Sequence, residues 1–208
     1  MVALITDPNL EDRLVAQRRA DGTDKYDEVW EGMYVMAPMA NNEHQDLVDD
    51  LCTILTLAVK WRGLGRVNPG VNVSDSKTDW QENYRCPDVA VFLNETQAED
   101  CGTHWFGGPD FAIEIVSPFD RSSEKLPFYA KVGVRELLLI QRDPWAIVLH
   151  RLTADGLTEA GRSTIADSRL LVSEVVPLNW KLQSIDGQSS IQVSHHDGQQ
   201  NWTIDITR

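Results

Sequence analysis

Cysteine is scarce in this chain: Cys52, Cys86 and Cys101 make an odd number, and no two of them form a CxxC pair. That argues against a disulfide framework and against a cysteine-based zinc site, and it predicts reduced thiols in a cytoplasmic protein. Long apolar runs are absent too. No stretch approaches the roughly 18 residues that a membrane span needs. The start, "MVALITDPNLEDRL", lacks the basic start and continuous apolar core of a secretory signal. Basic residues are few, 19 against 32 acidic, so the net charge is −13. Phosphate repulsion then argues against a protein that coats nucleic acid nonspecifically. A local basic groove stays open, because between Asp120 and Arg151 six basic residues stand against four acidic ones. Common catalytic signatures are also missing, with no phosphate-cradling Gly-rich loop, no GxSxG elbow and no HExxH. The pair His195-His196, beside Asp197-Gly198, reads as a solvated turn.

What is present suffices for one well-buried domain: 208 residues with 42% hydrophobic content. "PNLEDRLVAQRRADG" predicts a short helix, and "KYDEVWEGMYVMAP" a hairpin turning at Glu31-Gly32. From Asn42, the residues Leu47, Val48, Leu51, Ile54, Leu55 and Ala58 recur at helical spacing, with Asn42 and Gln45 as a capping box and a stop near Arg62. "RVNPGVNVSD" predicts a strand broken at Pro69-Gly70; "RCPDVAVFL" and "DFAIEIVSP" are further strands. "DRSSEKLPFYAKVG" is a helix ending at Gly133. The near-continuous apolar "VRELLLIQ" is a central strand covered on both faces, and "AIVLHRL" returns beside it antiparallel. The tail adds strand-like pieces, with "SIDGQSS" as the one credible linker. The fold class expected is α/β, a mixed sheet flanked by helices, with an N-terminal β-hairpin and extra C-terminal strands. Its organisation is expected as a helical segment over 1–25, the main domain over 26–183, and a β extension packed on it over 184–208.

Two acids stand out. Asp88 shares a strand face with Ala90 and Phe92, and Glu114 shares one with Ala112 and Val116. A carboxylate among apolar neighbours on a buried strand is expensive unless it is paired. If the two strands are adjacent, the carboxylates converge and repel, unless a cation sits between them. A hard divalent ion such as Mg²⁺ suits such a pair, with water and phosphate completing its coordination. The competing reading has Asp88 bonding loop amides and Glu114 pairing an arginine. A lysine would complete a hydrolytic site by orienting water and stabilising charge on a phosphate oxygen. Two residues past Glu114 stands Val116, so the nearest candidate is Lys125. Otherwise Lys125 is a solvated surface residue. His44, at the start of the second helix on its apolar stripe, is placed where the helix dipole keeps an imidazole neutral, as a metal ligand requires. A satisfied core histidine is the alternative. Glu31 at the hairpin is the weakest candidate, since Glu-Gly in a turn needs no chemical explanation.

"EGMYVMAP" followed by His44 on a helix, then "PDVAVF", "DFAIEIVSP", "EKLPFYAKVGVRELLLI" and "RDPW" resemble the Uma-two family, a branch of the PD-(D/E)XK nuclease superfamily. The resemblance spans roughly Tyr26 to Leu152. It implies a restriction-endonuclease-like fold with Asp88 and Glu114 as metal ligands, Lys125 as a lysine displaced onto the next helix, and His44 and Glu31 near the site. Mg²⁺, or Mn²⁺, would be the cofactor and DNA the partner. The chain departs from the superfamily at Val116, where the lysine usually stands, and the stretch from Pro118 to Lys125 is shorter than is common in the family, with Asp120 as a stand-in for the additional acid that usually precedes the lysine.

Three function classes follow. One is a metal-dependent DNA phosphodiesterase, supported by Asp88, Glu114 and Lys125. Another is a non-catalytic nuclease-fold binding or regulatory module, supported by Val116 and the acidic charge. The third is a hydrolase of small phosphorylated compounds, which suits the acidic surface. A homodimer is compatible with the first two.

Overall fold

A computed structural model describes residues 8–116 and 121–206, so the expected contribution of Asp120 lies outside the described residues. The first helix, α1 (Pro8–Asp21), precedes a hairpin of β1 (Glu28–Trp30) and β2 (Met33–Val35). Trp30 pairs with Met33, leaving Glu31 and Gly32 as the loop, with φ of 51° and 83°. Positive φ at both loop positions gives the turn whose twist matches the strands, and glycine accepts the second at no steric cost.

The apolar stripe predicted from Leu47 onward forms α2 (Asn42–Leu55), where Leu47, Leu51, Ile54 and Leu55 are buried. Its cap is Asn41 and not the expected Asn42: the Asn41 side chain accepts from the backbone N–H of His44. One otherwise unpaired N–H at the helix start is thereby satisfied. The helix runs on as a π-turn over Thr56–Lys60.

Short strands follow: β3 (Gly65–Pro69), β4 (Val73–Ser74), β5 (Tyr84–Arg85), β6 (Val89–Leu93), β7 (Glu99–Asp100), β8 (Trp105–Phe106) and β9 (Phe111–Val116). The break predicted at Pro69-Gly70 sends β3 and β4 into different sheets. Gly65 is needed at its position, because a Cβ there would lie 2.3 Å from the carbonyl oxygen of Phe92. A 3₁₀ turn over Ser122–Lys125 opens α3 (Leu126–Lys131). The rest is strand: β10 (Glu136–Arg142), β11 (Trp145–Thr153), β12 (Gly156–Thr164), β13 (Leu171–Val172), β14 (Leu178–Ile185), β15 (Gln188–His195) and β16 (Asn201–Asp205).

The central sheet has the order β12-β11-β10-β9-β6-β3 and is mixed: β9 and β10 pair parallel, and every other neighbour is antiparallel. Parallel neighbours require a crossover connection, which α3 supplies. Alternation along the strands divides the core. Val89, Val91, Phe111, Ile113, Ile115, Leu138 and Ile140 pack against α2 and the sheet formed by β13-β14-β15-β16. Ala90, Phe92, Ala112, Leu137 and Leu139 pack on the opposite face against Phe128 and Tyr129 of α3, with Val73 and Trp105 of the small sheet β2-β1-β5-β4-β8-β7. The expected α/β fold with a mixed central sheet and flanking helices is the fold observed.

Two tail expectations need correction. "SIDGQSS" is not a linker: Ile185 pairs with Gln188 across Asp186 and Gly187, whose φ values are 53° and 80°, so it is a hairpin turn. Residue 184 therefore falls inside β14, in a sheet that begins at Leu171. His195 is not in a solvated turn either; it is buried at the end of β15 and contacts Asp197, while His196 is exposed. Among the described residues no helix is long and apolar enough to cross a membrane.

Candidate active site

The antiparallel register of β6 and β9 brings Ala90 opposite Ala112 and Val89 opposite Ile113. Asp88, just before β6, continues that register toward Glu114, so both acids lie on the α3 face at one end of the pair. Asp88 is fixed from two sides. Its Oδ2 accepts from the backbone N–H of Ile115 at 2.6 Å, and its Oδ1 lies 3.2 Å from Nε2 of His44. The reading of Asp88 as a carboxylate that bonds backbone amides thus describes one of its oxygens. Asn41 sets the position of His44 through the helix cap and also accepts from Arg142 at 3.2 Å.

Glu114 is 3% exposed. Lys125, from the 3₁₀ turn before α3, places Nζ 3.0 and 3.1 Å from its two oxygens, and the Tyr129 hydroxyl donates to Oε1. Lys125 therefore reaches back to the second acid and is not a surface lysine, being 9% exposed. The same ammonium lies 2.9 Å from Oε1 of Glu28, a buried acid on β1. Glu28 in turn accepts from the backbone N–H of Cys86 at 2.8 Å and from the Trp30 indole at 2.6 Å. Sequence reasoning missed Glu28 and Tyr129. The signal for Glu28 was the one used for Asp88: on β1 it shares a face with buried Trp30.

Electrostatically the cluster holds more acid than base. Burial pushes the Glu114 carboxyl up to about 8, against the pull of Lys125, with Asp88 and Glu28 adding to the rise. Burial alone would strip Lys125 of its proton, but Glu114 and Glu28 hold its pKa well above the ordinary lysine range. Burial beside Glu114 also raises Tyr129, and burial raises the Cys86 thiol. Lys125 is thus a permanent cation near neutrality and can donate hydrogen bonds or stabilise negative charge, but cannot serve as a base.

Other expectations fare differently. Glu31 is exposed in the hairpin loop, with its backbone N–H bonded to Asn83 at 3.0 Å. Val116 contributes its carbonyl to Arg142 at 3.3 Å. The basic excess after Asp120 does not form a free groove. Arg121 pairs with Glu124, Lys131 with Asp75, Arg135 with Asp110, Arg142 with Glu43 and Arg151 with Glu136.

The carboxylates of Asp88 and Glu114, from neighbouring strands, are the oxygen donors a hard divalent ion takes; His44 turns Nε2 to Asp88 and keeps a buried Nδ1 with no hydrogen-bond partner. Among the described residues no group of three or more His, Cys, Asp and Glu side chains stands close enough to hold an ion alone, so water or substrate oxygens would complete the shell.

Comparison with known proteins bears on this arrangement. No curated protein sequence matches the chain. The crystal structure of a "putative nuclease" from Anabaena variabilis resembles it with a TM-score of 0.54 at 19% identity, covering 70% of this chain and 79% of that one. At that identity the likeness is one of fold. The model of the Uma-two family, described as "Putative restriction endonuclease", matches residues 15–184. The chain belongs to the Uma-two family.

Proposed function

We propose that the protein is a Mg²⁺-dependent endonuclease that hydrolyses DNA phosphodiester bonds. The observation that carries this reading is a buried ammonium held between two buried carboxylates, with Asp88 at the same end of the β6–β9 pair. Asp88 and Glu114 would hold Mg²⁺ or Mn²⁺, with His44 supporting Asp88 through Nε2. Bound there, the ion supplies Lewis acidity and a more acidic water. Lys125 orients the attacking water and stabilises charge on the phosphate oxygen. Glu28 and Tyr129 position Lys125 and Glu114, fixing the ammonium where the phosphate would sit. Three unpaired thiols suit a cytoplasmic setting.

A second reading, a non-catalytic nuclease-fold module, is favoured by one feature: both Glu114 oxygens are already engaged by Lys125, and one of them also by Tyr129. Incubating supercoiled plasmid with the protein, with and without Mg²⁺ or Mn²⁺, separates the two. The endonuclease cleaves only with metal, and Asp88→Ala and Lys125→Ala both lose cleavage. No cleavage under any metal contradicts the proposal and supports the module.

A further inference from the structure

Beside the cluster lies a groove of about 340 Å³, lined by Trp30, Glu31, Asn83, Arg85, Phe128 and Lys131 among others. Arg85 is only 4% exposed there. Its guanidinium carbon lies 4.6 Å from the Trp30 ring centre and 4.3 Å from that of Phe128. Stacking on aromatic faces is the arrangement that orients an arginine while leaving its edge to bind.

The partners of that edge are all neutral. Nη1 donates to the carbonyls of Val29 and Tyr84 and to Oδ1 of Asn83, at 2.8, 3.0 and 3.1 Å. Among the described residues Nε has no acceptor and no carboxylate pairs with the group. A buried cation without a counter-ion is costly unless an anion joins it. The neighbouring cations cannot answer the same need: Lys131 lies 2.6 Å from Asp75, and Arg121 pairs with Glu124. Burial pulls the Arg85 pKa down against the opposing pull of Glu28, Glu31 and Asp75, none of which is in ion-pair contact with the guanidinium.

We propose that this groove is an anion subsite in which Arg85 takes a phosphate group of the substrate strand, beside the bond held at Asp88 and Glu114. The substrate's identity rests on the nuclease reading; the binding of phosphate does not. Trp30 joins the two places, since its indole N–H donates to Glu28 while its ring carries Arg85. Phe128, three residues after Lys125, also carries Arg85 on its ring and meets Tyr129 edge-on.

The test titrates chelator-treated, full-length protein with inorganic phosphate and, in parallel, dimethyl phosphate, by calorimetry. Saturable binding by the native protein is expected, weakened about tenfold or more in Arg85→Lys, because lysine lacks the planar fork. Glu31→Gln, which removes an exposed acid from the groove lining, should tighten it severalfold. Binding of inorganic phosphate alone assigns the subsite to a strand end, and binding of both assigns it to an internal phosphate; either supports the proposal. No saturable binding of either, or affinity unchanged in both variants, overturns it. If Arg85→Lys fails to fold, Glu31→Gln decides: tighter binding supports, unchanged binding overturns. Phosphate binding by a protein that never cleaves DNA would contradict the nuclease reading and leave the anion subsite standing.

Discussion

The ammonium of Lys125 lies 3.0 Å from Oε1 of Glu114, a residue 11 positions earlier and on a different element. The contact forms because the 3₁₀ turn over Ser122–Lys125 returns the chain to the open end of β9. Lys125 also meets Glu28 at 2.9 Å, so its removal strands two buried acids. Lys125→Met is expected to lower folding stability by about 3–5 kcal/mol. Urea denaturation checks the value, and a loss under about 1 kcal/mol would show the pair to be solvated.

The pH dependence follows from Glu114. Its folded pKa, about 8, lies above the ordinary glutamate range, so folding favours the protonated form. The stabilisation is complete at and below that ordinary range and is lost as pH rises toward about 8. Metal-free protein should therefore melt at a lower temperature at the upper end of that window. Glu114→Gln, which mimics the protonated carboxyl at every pH, should flatten this part of the profile. Parallel profiles for the two proteins would contradict the assignment.

Asn41 caps α2 and accepts from Arg142, so it tunes the position of His44 beside Asp88. Asn41→Ala should cost about 1 kcal/mol by chemical denaturation. Asn41→Ser, which restores a capping oxygen, should recover most of that loss.

Glu136 ties the central sheet to the C-terminal one. It is fully buried on β10, bonded to Arg151 at 2.8 Å, the Ser173 hydroxyl at 2.5 Å and the Glu174 backbone N–H at 3.0 Å. Glu136→Ala strands the Ser173 hydroxyl and the Glu174 N–H and leaves Arg151 with Glu174 and the Val172 carbonyl alone, and should cost about 3 kcal/mol. Hydrogen exchange should show the loss as faster exchange over Leu171–Val172 and its partner strand.

Much of this was legible in the sequence, and the rest was hidden for physical reasons. The apolar period of α2 and the two acid-bearing strands were readable, because burial forces one face of each element to be apolar. Asp88 and Glu114 could be paired before their register was known, since each broke the pattern of its own strand. Glu28 obeyed the same rule, but β1 is too short for alternation to show. Tyr129 reads as another core aromatic until the crossover folds it over Glu114. The small sheet is built largely of two-residue strands that carry no period, so only tertiary pairing reveals it. Asp186-Gly187 looked like a linker because turn and linker share a composition, and only the pairing of Ile185 with Gln188 distinguishes them.

The central claim is that Asp88 and Glu114 are two halves of one divalent-cation site, with Lys125 serving the reaction and not the ion. A calorimetric titration of Mn²⁺ into the native protein, Asp88→Ala and Lys125→Met tests it most directly. Saturable single-site binding is expected for the native protein and for Lys125→Met, and none for Asp88→Ala. The absence of binding in the native protein, or equal binding in Asp88→Ala, would contradict the account.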